Sequence, residues 1–162
     1  MSVHLMSRDE LHIVTALRSN EFLHDLDTSN LKKLASIAAE VKFPEGEVIH
    51  RAGDLGEAIY LVEEGQVNID VDAPDGGRVT VLIVGPGQIF GLSSLFPPQR
   101  KKGTARVVQP TRAIVIDSKK LLSLFESNHE LERNIMGRTA KIINDRIKST
   151  WLQLAKNYAT HD

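Results

Sequence analysis

The sequence predicts a mainly β domain, an antiparallel sandwich or barrel flanked by helices, and three observations carry that reading. Glycine or proline recurs at positions 44, 46, 53, 56, 65, 74, 76, 77, 85, 86, 87 and 91, cutting the middle of the chain into short β-rich runs. In one of them, Asn68-Ile69-Asp70-Val71-Asp72, apolar and polar residues alternate strictly, as on a half-buried strand. On both sides of this region the apolar spacing lengthens to three and four residues, the helical period.

Residues 8 to 40 read as helix in pieces. Leu11, Val14 and Leu17 fall at three-residue steps, and Thr28-Ser29-Asn30 offers caps before Leu31, Leu34, Ile37 and Ala38. Pro44 and Gly46 stop the pattern. Strands follow at Val48-Ile49, Ile59 to Val62, Val67 to Val71 and Val79 to Val84, with Asp75-Gly76-Gly77 marking a hairpin. Thr104 to Val108 and Ala113 to Asp117 read as a second pair, turned at Gln109-Pro110-Thr111. Gly53 and Gly65 are expected in tight turns between strands, and Pro86-Gly87 suits a type II turn. Ser118 then caps a short helix over Lys119 to Phe125, and a long helix starts near Asn128, with Gly137 its weak point. Met136, Ala140, Ile143, Ile147, Thr150 and Leu154 form a heptad-like stripe on it, with Leu131, Ile135 and Ile142 a second apolar line. Two apolar faces on one terminal helix imply a partner, here a second copy of the chain.

Composition narrows the function classes. The chain has 162 residues, 41% apolar and 25% charged, the size and mix of one soluble domain with a helical extension. The absence of cysteine excludes disulfides, thiolate metal sites and cysteine nucleophiles. A formal net charge of -1 gives no global field for nucleic acid, although Pro97 to Arg106 carries four bases and no acid. No apolar run approaches the roughly 20 residues of a membrane helix, and the first residues do not read as a signal peptide, so a cytoplasmic protein is expected.

The order of these elements, with three blocks of residues, is similar to the cyclic nucleotide-binding domain of catabolite activator-type regulators, protein kinase A regulatory subunits and cyclic nucleotide-gated channels. The blocks are Phe43-Pro44-Glu45-Gly46-Glu47-Val48-Ile49 with Ala52-Gly53-Asp54, then Ile59 to Val67, then Gly85-Pro86-Gly87-Gln88-Ile89-Phe90-Gly91. The likeness runs from about Asn20 to Leu154. It implies an antiparallel double-stranded β-helix, the jelly-roll or cupin-like barrel, with N-terminal helices and a long C-terminal helix. The expected division is a helical arm at 1–19, the barrel domain at 20–127, and a dimerisation helix and tail at 128–162.

In that family a phosphate-binding cassette reads Phe-Gly-Glu, small residues, a leucine, a loop, and then an arginine before a strand. The resemblance implies helix amides and the arginine on the cyclic phosphate, and the glutamate on the ribose hydroxyl. Here Phe90 and Gly91 match, but Leu92 stands where the glutamate would be. Aligning Thr104-Ala105 with the family's strand puts Gly103 at the arginine position. Losing two charge-assisted contacts would weaken binding by about two to four powers of ten. The candidate ligand residues are Ile89, Phe90, Gly91, Leu92, Ser93, Ser94, Lys102, Gly103, Thr104 and Ala105, with Asn144 and Arg146 on the long helix for the base. Arg100, Lys101 or Lys102 could turn inward in place of the arginine; otherwise that run is a solvated loop tip.

The expected function is therefore small-molecule sensing by a regulatory domain of this type, weak or altered for cyclic nucleotides, signalling through the C-terminal helix. The ligand would be cyclic AMP, cyclic GMP or another small anion, with no cofactor. The alternatives are a ligand-free dimerisation module, or the sensor part of a longer transcription regulator without its helix-turn-helix. An enzyme is not expected: of six histidines only His50 falls in the barrel, so a cupin metal cluster cannot be assembled. DNA binding by this chain alone is not expected either, since only Lys156 to Asp162 follow the helix pattern.

Overall fold

The computed structural model describes residues 6–159. Helix α1 (Arg8–Arg18) is capped by Ser7, whose Oγ accepts from the Glu10 amide at 3.1 Å, and it buries Val14 and Leu17. Helix α2 (Thr28–Ala35) buries Leu31, Leu34 and Ala35. The helical spacing expected to reach Ala38 and beyond stops earlier. Strand β1 (Ala38–Phe43) begins there, and its pairing from Ala38↔Ile116 to Phe43↔Thr111 overrides the weak local period.

Five further strands follow: β2 (Val48–His50), β3 (Ala58–Asp72), β4 (Arg78–Val84), β5 (Ile89–Phe90) and β6 (Thr104–Asp117). The sheet is built around β3 and β6, which pair antiparallel from Ala58↔Asp117 to Asp70↔Thr104. Each central strand is flanked twice. β1 and β2 pair with the two halves of β6, while β5 and β4 pair with the two halves of β3. The sheet is antiparallel throughout, with flanking helices, and the path β1-β6-β3-β4 is not closed by hydrogen bonds among the described residues.

This arrangement corrects two expected turns. Gly65 lies inside β3, and Gln109-Pro110-Thr111 lies inside β6. They face each other where the register shifts, between Val62 and Val67. Gly65 has φ +99°, and an added Cβ would collide with the Pro110 carbonyl and lie 2.7 Å from Thr111 Cα. The punctuation that reads as turns is a bend shared by two long strands. The other turns form as expected. Ala73 donates to the Gly77 carbonyl in the β3–β4 hairpin, and Gly87, at φ +83°, completes a turn closed by Gln88 N–H to Gly85 O.

Val62, Val67, Val84, Phe90, Ala105 and Val107 form a buried cluster, with Phe43, Ile49, Tyr60, Ile69 and Leu82 packed on it. Phe90 stacks on Tyr60 at 4.8 Å, and Tyr60 meets Phe43 edge-on at 5.9 Å. The chain divides into two compact units, Met1–Leu124 and Phe125–Asp162. Helix α3 (Ser118–Glu126) is capped by Asp117 rather than Ser118: Asp117 Oδ1 accepts from Lys120 N at 2.9 Å. Helix α4 (His129–Ala159) starts after Asn128, whose Oδ1 accepts from Leu131 N. Along α4, Leu131, Ile135 and Thr139 are buried, while Ile143, Ile147, Trp151, Leu154 and Tyr158 are exposed.

Candidate functional site

The loop between β5 and β6 is shaped by a glycine that nothing else could replace. Gly91 has φ +94°, and an added Cβ would sit 2.6 Å from the Ala58 carbonyl. It leads from β5 into a single 3₁₀ turn, Leu92–Leu95, where the sequence predicts a short helix. Leu92 and Leu95 are buried, so the side chain at the glutamate position serves as core. Ser94 is also buried and is used internally, its hydroxyl directed at the Ala58 carbonyl at 2.9 Å and at the Gly91 carbonyl. Ser93 is exposed.

Gly103 has no room for a side chain. A Cβ there would lie 2.7 Å from Ile69 Cγ2 and 3.1 Å from the Asp70 carbonyl, because the backbone is pressed against β3. Thr104 Oγ1 accepts from the Ala52 amide at 3.2 Å. Ile89, Phe90 and Ala105 are core residues. Nearby, the Arg106 guanidinium is tied to buried Asp70 at 3.0 Å, and the Thr80 hydroxyl donates to the same carboxylate at 2.6 Å. Burial pushes Asp70 up, but Thr80, Arg106 and Arg78 outweigh it and hold the carboxyl below its ordinary value.

The basic run is where the structure departs most from the solvated-tip expectation. Lys102 is exposed. Lys101 is only 6% exposed, and its Nζ lies 3.4 Å from Gly91 O and 3.5 Å from the Ser93 and Ser94 hydroxyl oxygens. Backbone pairing fixes it there: Lys101 N–H donates to Asp54 O at 2.8 Å, and Lys101 O accepts from Gly53 N at 2.7 Å. Next to this segment is a cavity of about 460 Å³, lined among others by Ile49, His50, Asp54, Tyr60, Arg100 and Lys101. No residue of the Leu92–Leu95 turn lines it. His50 is held at about 4, well below an ordinary imidazole, first by burial and then by the Lys101 charge. Its Nδ1 is buried with no hydrogen-bond partner among the described residues. Sequence reasoning named Lys101 only as one of three residues that could turn inward, and gave His50 no part in a ligand site. Only the family-like position of the basic run hinted at the first.

Asn144 and Arg146 lie on α4, in the second unit, exposed and half-buried respectively. Among the described residues one group has the donors for a cation: His12, Glu40 and Glu63 place three ligand atoms within 4.8 Å of one another. Arg112 already supplies positive charge there, its Nε 3.2 Å from Glu63, and His12 Nε2 lies 2.5 Å from Glu40. The hydrogen bond with His12 is the largest influence holding Glu40 down. Burial, then the neighbouring Glu40, pushes Glu63 up. The group acts as an ion-pair cluster joining α1 to β1, β3 and β6.

With this geometry in place, the comparisons with known proteins decide the family. The model of the cyclic nucleotide-binding domain matches residues 40–128. The chain belongs to that family. It is similar to the CRP-like cAMP-activated global transcriptional regulator of Mycobacterium tuberculosis, at 26% identity over 85% of this chain and 68% of the relative. It is also similar to the cyclic AMP receptor protein of Thermus thermophilus, at 25% identity over 80% of this chain and 60% of that one. Among solved structures, a Geobacter metallireducens GS-15 protein provisionally described as cyclic nucleotide-binding superposes with a TM-score of 0.73 at 31% identity, covering 88% of this chain and 99% of that one. A cyclic nucleotide-binding domain from Methylobacillus flagellatus KT, at 22% identity, shares the fold with a TM-score of 0.79, over 96% and 88%. Among the described residues no helix is long and apolar enough to cross a membrane.

Proposed function

We propose that this domain is a small-molecule-sensing regulatory module whose cassette is weak or altered for cyclic nucleotides, and that it signals as a homodimer through α4. One observation carries the reading. The cassette keeps the left-handed Gly91 and the turn that follows it, yet Leu92 is buried core and Gly103 has no room for a side chain. The backbone cradle is retained while the two charged contacts of the family are gone. Ser93, Thr104 and the turn amides remain as neutral groups for a ligand. The relatives' names support regulation by a ligand rather than catalysis, and we read the protein as a cytoplasmic non-enzyme that does not bind DNA through this chain alone.

Coupling to α4 follows the family's logic: a ligand that prefers one of two arrangements shifts the population toward it. The exposed apolar residues Ile143, Ile147 and Leu154 support a paired helix. A thermal-shift screen of cyclic nucleotides tests the sensing role, since a ligand specific for the folded state raises the melting temperature. Cyclic AMP or cyclic GMP is expected to raise it only at concentrations above about 1 µM. No response up to 10 mM would leave the dimerisation module as the function.

A further inference from the structure

Three side chains on three elements of the first unit converge beside α1: His12 on the helix, Glu40 on β1 and Glu63 on β3. One ring nitrogen and two carboxylate oxygens lie within 4.8 Å of one another. Arg112, on β6, is the cation they share, and it is overcommitted. Its guanidinium lies 3.2 Å from Glu63, 3.9 Å from Glu40 and 3.1 Å from Glu64, so three carboxylates surround one positive charge. With the imidazole uncharged the group holds two negative charges in excess, and carboxylates this close repel unless a further cation lies among them. The contacts also leave ligand atoms available. Arg112 Nε holds Glu63 through Oε2, while Oε1 is turned to His12 Nε2 at 3.5 Å. Zinc with nitrogen and carboxylate ligands at about 2.0–2.2 Å spaces them roughly 3.3–3.6 Å apart in a tetrahedron, and the His12–Glu63 pair has that spacing already. His12 Nε2 and Glu40 Oε2, at 2.5 Å, stand at hydrogen-bond distance and would part by about 1 Å. Both side chains reach solvent, His12 by 52% and Glu40 by 30%, so rotation can open that gap while Glu63 stays fixed. His12, Glu63 and Arg112 also line a cavity of about 260 Å³ with Thr15, Ser19 and Asn20, which leaves room for water at a fourth ligand position.

We propose that His12, Glu40 and Glu63 form a binding site for a divalent metal ion of the zinc type, with water as the remaining ligand. The ion supplies the two positive charges that the acids lack, and Arg112 keeps Glu63 oriented from outside the coordination shell. An imidazole donor favours zinc over magnesium and calcium, which prefer oxygen ligands. Bound there, the ion ties α1 to two strands of the sheet and so stabilises the folded unit. None of residues 91–103 lines this cavity or belongs to the donor group, and the proposal is independent of cyclic nucleotide binding.

The test is a calorimetric titration of the whole chain, stripped with a chelator, with zinc chloride and in parallel with magnesium and calcium chloride. Zinc should bind the wild type at one site per chain with a dissociation constant of about 10 µM or tighter. It should also raise the melting temperature saturably, whereas millimolar magnesium or calcium should not. His12→Ala and Glu63→Gln should each weaken that site about tenfold or more, while His24→Ala, at an exposed histidine outside the group, leaves it intact. Should the variants fail to fold, wild-type protein with ¹⁵N-labelled histidine gives the answer: the His12 Nε2 resonance shifts saturably with zinc. No zinc binding by the wild type, an equal affinity in His12→Ala (adventitious zinc at other histidines), or an unmoved His12 resonance would each overturn the proposal.

Discussion

An added Cβ at Gly103 would lie 2.7 Å from Ile69 Cγ2, so Gly103→Ala should destabilise the domain by about 1–3 kcal/mol, measured by chemical denaturation. Restoring the family's arginine at that position would therefore disrupt β3 instead of rebuilding a contact. His50 carries a second residue-level expectation. Below its ordinary value of 6.5 the unfolded chain takes up a proton that folded His50 refuses until about 4. The unfolded state thus binds more protons in that window, and stability falls as pH drops through it. The melting temperature of the wild type should decline from pH 6.5 to pH 4 more steeply than that of His50→Gln, and equal slopes would contradict the assignment. At this scale the sequence was legible in part. Gly91, Leu92 and Gly103 could be read because their residue types depart from or match a short pattern. Lys101 could not be told from Lys102, since side-chain direction on an irregular loop is set by the backbone pairing with Gly53 and Asp54, two distant residues.

Among the elements, the short strands and hairpin turns followed directly from glycine spacing, and α4 from its uninterrupted apolar steps. What the spacing hid was continuity. Gly65 and Pro110 break two runs in sequence, yet they stand opposite each other in one bent ribbon, where positive φ and a missing Cβ let the backbones approach. Local signals cannot separate a turn from a bend, because both need the same residues. The start of β1 was hidden for a similar reason: Ala38 and Ala39 suit a helix, and only the partner strand β6 recruits them. The outer part of α4 makes its own prediction. Ile147 is 43% exposed and Trp151 66% exposed on a helix that already buries Leu131 and Ile135. In sedimentation the wild type should be a dimer and Ile147→Asp a monomer, whereas a monomeric wild type would contradict the paired helix.

For the whole molecule, membership in the cyclic nucleotide-binding family and the proposed loss of the family's charged contacts pull in opposite directions. The fold survives that loss because the side chains that build it are apolar and far more numerous than the two that grip a phosphate. A regulatory domain can thus keep its scaffold while its ligand changes. The direct measurement of the central claim is a calorimetric titration of the intact protein with cyclic AMP. A dissociation constant weaker than about 1 µM is predicted, and nanomolar binding would contradict it.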